Sequence, residues 1–169
     1  MSLSRRHLAI AASLIAAAAG AALVRGDARR TPAPQVDFTL LDGQKSNIGQ
    51  LEGQVVLVTF WATSCTSCVG EMPEIVATFE KYRGRGYQTL AVAMRHDPPA
   101  LVADFAETRK LPFGVVIDNT GEIARRFDGV QLTPTSFLID KRGQIVKRHL
   151  GVPDFAALHR FVERLLAET

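Results

Sequence analysis

Cysteine is nearly absent from this chain: its 169 residues include two, Cys65 and Cys68. A chain of this length with 47% hydrophobic residues builds a core without covalent staples. A bridge between residues so close together would also remove little entropy from the unfolded state. A disulfide-stapled scaffold is therefore excluded, and the pair is left with a chemical role. A surplus of one charge is lacking too. The net charge of +3 resides in the N-terminal segment, where residues 1–34 hold five arginines against Asp27, leaving 15 basic and 16 acidic residues beyond. A near-neutral domain has no phosphate-neutralising face, so no nucleic-acid partner is expected. The four histidines, His7, His96, His149 and His159, show no His-x3–5-His spacing, and no second cysteine pair exists to complete a zinc site. Neither a metal nor another cofactor is expected. Repeats and low-complexity tracts are missing as well, which leaves one domain.

One long apolar run is present. Arg5 and Arg6 precede uncharged residues 8–24, and Arg25, Gly26 and Asp27 end the run. This is the layout of a secretory signal peptide or N-terminal membrane anchor, assigned to residues 1–30, and it predicts export to the periplasm. A 17-residue helix reaches about 25 Å against a hydrocarbon core of about 30 Å, so a cleaved signal and a tether through residues 8–24 both fit. The Arg5-Arg6 pair suits a twin-arginine signal and an ordinary positive n-region equally. No cysteine lies near the segment, which excludes a lipid-modified cysteine anchor.

Thr31-Pro32-Ala33-Pro34 reads as a short stiff linker, with the domain spanning residues 35–169. Asp42-Gly43 predicts a β-hairpin turn. Residues 55–60, mostly β-branched, suit a strand buried on both faces. Met72, Ile75, Val76 and Phe79 recur at helical spacing after Cys65. A second buried strand covers residues 90–94, and a helix over 100–108 is predicted to face inward through Leu101, Val102 and Phe105. A strand at 115–117, a short helix at 122–127, a hairpin of 136–139 with 145–150, and a final helix capped by Asp154 complete the pattern. The expected class is α/β, a mixed β-sheet sandwiched between helices, with the cysteines at a strand-to-helix junction.

Cys-x-x-Cys at a helix start has a physical logic. Unpaired N–H groups and the helix dipole stabilise a thiolate, so Cys65 is the predicted nucleophile and Cys68, one turn on, the resolving thiol. Residues 60–68, Phe-Trp-Ala-Thr-Ser-Cys-Thr-Ser-Cys, with Pro73 following, resemble the thioredoxin active-site segment, and Thr133-Pro134-Thr135 resembles that family's cis-proline segment. The resemblance covers residues 35–169. The N-terminal hairpin extension, Cys-x-x-Cys-x-x-Glu-x-Pro through Glu71, and an inserted helix after Met94 are similar to the TlpA/ResA-like group of exported thiol-disulfide oxidoreductases.

That resemblance implies reduction of client protein disulfides in cytochrome c or copper-oxidase assembly, supply from a membrane thiol-disulfide electron donor, and a monomer. It also implies a cis peptide at Pro134 and substrate binding by Trp61 and Thr133. Two departures stand out: Ser64 replaces the family's Trp, and Thr59 its buried Asp. Asp97, or His96 with it, is the expected aid to proton transfer at Cys68, a solvated loop pair being the alternative. Glu71 is a further candidate, with a role in the helix dipole as its alternative. Two other functions are weighed. A peroxiredoxin-like peroxidase would need a Pro-x-x-x-Thr-x-x-Cys pattern, which the chain lacks. A copper-binding assembly chaperone would use the soft sulfurs, though related chaperones carry Cys-x-x-x-Cys.

Overall fold

The computed structural model describes residues 30–168; the expected signal or anchor therefore lies, but for Arg30, outside the described residues. The β-branched run forms β4 (Val55–Trp61), every residue of which is buried. Because successive side chains point to opposite faces, Val55, Leu57 and Trp61 enter one core, and Val56, Val58 and Phe60 enter another. Parallel to β4 run β5 (Tyr87–Ala93) and, beyond it, β6 (Gly114–Ile117). On the other side, β7 (Thr135–Ile139) and β8 (Gln144–Leu150) pair antiparallel, and with β1 (Thr31–Pro32) at the edge they complete a mixed sheet in the order β1-β8-β7-β4-β5-β6. The hairpin of β2 (Asp37–Thr39) and β3 (Lys45–Asn47) stands apart; its turn holds Gly43 at φ 87°, a backbone glycine adopts without strain.

Helices α1 (Thr66–Tyr82), α2 (Pro99–Thr108) and α4 (Phe155–Ala167) supply apolar side chains to the first core, led by Ile75, Val102 and Leu158. The second core takes α3 (Glu122–Arg126) through Ile123 and Ala124, and the hairpin through Phe38. The sandwich, the hairpin extension and the inserted α2 are the architecture expected from the sequence. Asp154 caps α4, accepting a hydrogen bond from the Ala157 N–H at 3.1 Å.

Two expectations need correction. Leu101 is 53% exposed, and α2 faces inward through Val102 and the half-buried Phe105 instead. Residues 31–34 are bound into the domain. Thr31–Pro32 is β1, paired with Gln144 and Ile145 of β8, and buried Ala33 donates its N–H to the Gly143 carbonyl at 2.8 Å. Arg30 reaches both Asp140, at 2.9 Å, and Glu168. Proline interrupts a periodic pattern, yet it is tolerated on an edge strand, where the missing donor faces no neighbour.

Candidate active site

The site grows from the carboxyl end of β4. After Trp61 the chain turns through residues 62–64, and Cys65 becomes the N-cap of α1, with its sulfur accepting the Cys68 N–H at 3.2 Å. The sulfurs are joined as a disulfide, with Cα atoms 5.2 Å apart. Cys65 is partly exposed, whereas Cys68 is fully buried within the first core. One sulfur is thus partly open to a partner and the other is enclosed. The N-cap position aims the unpaired donors of the first turn at Cys65, the local field that stabilises a thiolate.

The Thr133-Pro134 peptide is cis. Thr135 pairs with Phe60, so buried Pro134 and half-buried Thr133 lie level with the end of β4 from which the cysteine loop departs. Trp61, expected to bind substrate, is only 1% exposed and packs against Phe105 with ring centroids 5.0 Å apart. Its place in the core comes from the alternation of β4, and it offers no surface to a client.

Asp97 is buried, 2% exposed, and its carboxylate accepts the Thr63 N–H at 2.6 Å and the Thr63 hydroxyl at 2.5 Å. It ties the turn after β5 to the cysteine loop and is no solvated loop residue. His96 is exposed and lines a separate cavity. At Thr59, where the thioredoxin resemblance would put a buried acid, the Thr59 hydroxyl accepts the Ser136 hydroxyl at 3.0 Å, so a neutral pair fills the position. His149 lies opposite Ser136 across the sheet, with a buried, unpartnered Nε2, and burial lowers its pKa.

Glu71 is the residue whose burial the sequence reading understates. It is 4% exposed, neither carboxylate oxygen has a hydrogen-bond partner, and burial pushes its pKa from 4.5 up to about 7. A signal was available: Cys68, Glu71, Met72, Ile75 and Phe79 form one buried stripe of α1, and Glu71 is the acid on it. Among the described residues no group of three His, Cys, Asp or Glu side chains could hold a metal ion.

A disulfide between a helix N-cap and the first turn, beside a cis-proline loop on a mixed sheet, defines a thioredoxin-fold thiol-disulfide oxidoreductase. Residues 28–160 match the Redoxin family model, and the chain belongs to that family. It is 33% identical over 133 residues to the thiol-disulfide oxidoreductase ResA of Bacillus thuringiensis subsp. konkukian, covering 79% of this chain and 76% of that one. The crystal structure of a thiol:disulfide interchange protein of the thioredoxin family from Chlorobium tepidum superposes with a TM-score of 0.75 at 29% identity, over 84% of this chain and 100% of that one. A candidate thioredoxin from Neisseria meningitidis, solved in solution, gives a TM-score of 0.76 at 36% identity, over 82% and 93% of the two chains. The likeness is of the TlpA/ResA type.

Proposed function

We propose that this protein reduces disulfides of client proteins outside the cytoplasm, with Cys65 attacking and Cys68 resolving. The observation that carries the assignment of roles is the contrast in access: Cys65 is partly exposed at the N-cap of α1, and Cys68 is fully buried. In the reduced enzyme the Cys65 thiolate attacks one client sulfur, the client S–S bond breaks, and the leaving client thiolate takes a proton. Cys68 then loses its proton and attacks the Cys65 sulfur, which forms the enzyme disulfide and releases the second client thiol. Two electrons and two protons pass to the client. Glu71, with a pKa of about 7 and no competing partner, is suited to accept the Cys68 proton near neutral pH.

The client reading is supported by an exposed aliphatic rim around Pro134. Leu132, Leu150 and Val152 are 64%, 65% and 52% exposed; Leu150 pairs with Thr135, and the Gly151 N–H donates to the Pro134 carbonyl. Exposed apolar patches of this kind mark macromolecular contacts. Half-buried Thr133, beside Leu132 of this rim, is the residue we assign to client backbone. The extracytoplasmic setting rests on the arginine-flanked apolar run at residues 8–24, and among the described residues no helix is long and apolar enough to cross a membrane. The TlpA/ResA resemblance adds cytochrome c or copper-oxidase assembly clients and a membrane dithiol donor that regenerates the reduced pair.

Two measurements test the reading. Reduced Cys68→Ser mixed with a disulfide-bonded peptide should accumulate a mixed disulfide at Cys65, visible as a mass increase. Equal capture by Cys65→Ser and Cys68→Ser would reverse the roles. The reduction potential of the pair decides direction: thiol-disulfide proteins of this fold span about −270 to −120 mV, and a value at the oxidising end would overturn the reductase.

A further inference from the structure

A cavity of about 370 Å³ opens between the turn after β5 and the loop that leads to Pro134. Arg95, His96, Arg125 and Gln131 line it, and the buried side chains of Met94 and Val130 contribute apolar wall. The segments that form it meet the redox site on both sides: Asp97, two residues beyond Arg95, holds Thr63 of the cysteine loop, and Gln131 lies three residues before the cis-proline. The cavity belongs to neither cysteine, and no step of the exchange reaction uses it.

Its charge is one-sided. Arg95 has no hydrogen-bond or ion-pair partner among the described residues. Its aliphatic stem is laid across Gly121, where a Cβ would come within 3.1 Å of the arginine Cδ. Gly121 also has φ +70°, a conformation that excludes most side chains, so the residue that permits the α3 turn also leaves the arginine room. Arg125 donates to the Thr120 carbonyl at 3.1 Å and pairs with Glu122, which is shared with Arg126. The nearby acids are otherwise engaged: Asp118 is buried and accepts the Ile123 and Ala124 N–H groups, Asp97 holds Thr63, and Asp128 pairs with Arg148. A cation without a partner therefore faces a cleft with an apolar wall.

We infer that this cavity is a client subsite that takes an acidic side chain, such as glutamate, near the disulfide under attack: the carboxylate meets Arg95 and the methylene stem lies against Met94 and Val130. A polypeptide occupant is favoured over a free anion because Gln131 of the lining is followed directly by the exposed Leu132 and then by the cis-proline segment that borders the redox site. The proposal rests on the client-reductase reading and adds a preference to it.

The test uses two peptides with the same disulfide, one bearing Glu three residues from the attacked cysteine and the other Lys. The reduced full-length chain is mixed with each at low ionic strength. Wild type should react about tenfold faster with the Glu peptide, with the ratio shrinking as salt screens it. Arg95→Glu should bring the ratio to one or below. Arg160→Glu, the same charge change on an exposed position of α4, should leave the ratio near the wild-type value. Equal rates for both peptides in wild type, or an equal loss in the two variants, would overturn the subsite and leave the reductase reading intact. Failure to react with either peptide would sink both. Binding of free glutarate at Arg95, seen as chemical-shift changes without discrimination between the peptides, would show a small-anion site and overturn the client assignment.

Discussion

Two buried carboxyl groups bear on the cysteine segment, Glu71 from three residues after Cys68 and Asp97 through its bonds to Thr63, and they are treated in opposite ways. Asp97 is 2% exposed and accepts both the N–H and the hydroxyl of Thr63. Glu71 is 4% exposed and accepts nothing. Burial is nearly equal, so the difference lies in the partners. A carboxyl group with two good donors is a fastener, and its bonds are made once on folding. One that burial disfavours and no donor stabilises is poised to change protonation state, as a catalytic proton carrier must. On the proposed reading, stability and chemistry are divided between these two acids.

The largest expected effect breaks the fastener. Asp97→Ala removes two hydrogen bonds to a carboxylate and leaves the Thr63 N–H without its acceptor, which should cost about 3 kcal/mol. Urea unfolding of the oxidised protein measures it. Glu71→Met, which fills a similar volume and removes an unpartnered acid, should leave stability at pH 7 unchanged or raise it. A loss from Glu71→Met as large as that from Asp97→Ala would erase the contrast.

The pH dependence is the next largest effect. Glu71 holds its proton in the folded state up to about pH 7, whereas in the unfolded chain it titrates at about 4.5. The folded state therefore binds more protons through that interval, so stability falls as pH rises. The contribution is fully present below pH 4.5 and lost by the time pH passes 7, up to about 3 kcal/mol in all. Denaturation of wild type and Glu71→Gln between pH 4.5 and 7.5 should show that slope in wild type and its disappearance in the variant. Parallel curves would mean that Glu71 titrates normally.

The contrast also explains what could be read in advance. The buried run of β4, the helical spacing after Cys65, the hairpin glycine and the Asp154 cap are local patterns, and local patterns survive folding. The pairing of Thr63 with Asp97 joins residues 34 positions apart, and nothing in either segment announces it; the sequence supports a solvated pair at 96–97 as readily. Trp61 fails for another reason: the resemblance implied a substrate contact, but Trp61 is the last residue of a strand buried on both faces and packs on Phe105 of α2, 44 positions away. The edge strand at Thr31–Pro32 depends on β8, more than a hundred residues away, so Pro32 and the following Pro34 read as a linker. Glu71 was legible in principle, since periodicity alone puts it on the buried stripe.

The smallest effect sharpens the comparison most. Thr63→Val removes the hydroxyl that bonds Asp97 and keeps the backbone N–H bond, with almost no change in shape. One of two donors is lost, and the carboxylate keeps the other, so the cost should be about 1 kcal/mol. The informative readout is kinetic. If Asp97 only fastens the loop, the rate at which Cys68 resolves a preformed mixed disulfide should keep the same pH profile in Thr63→Val as in wild type. Glu71→Gln should lose its inflection near pH 7, because the group that takes the proton is gone. Should Thr63→Val move that inflection while Glu71→Gln leaves it in place, Asp97 would be the proton acceptor after all, and the roles of the two acids would be exchanged.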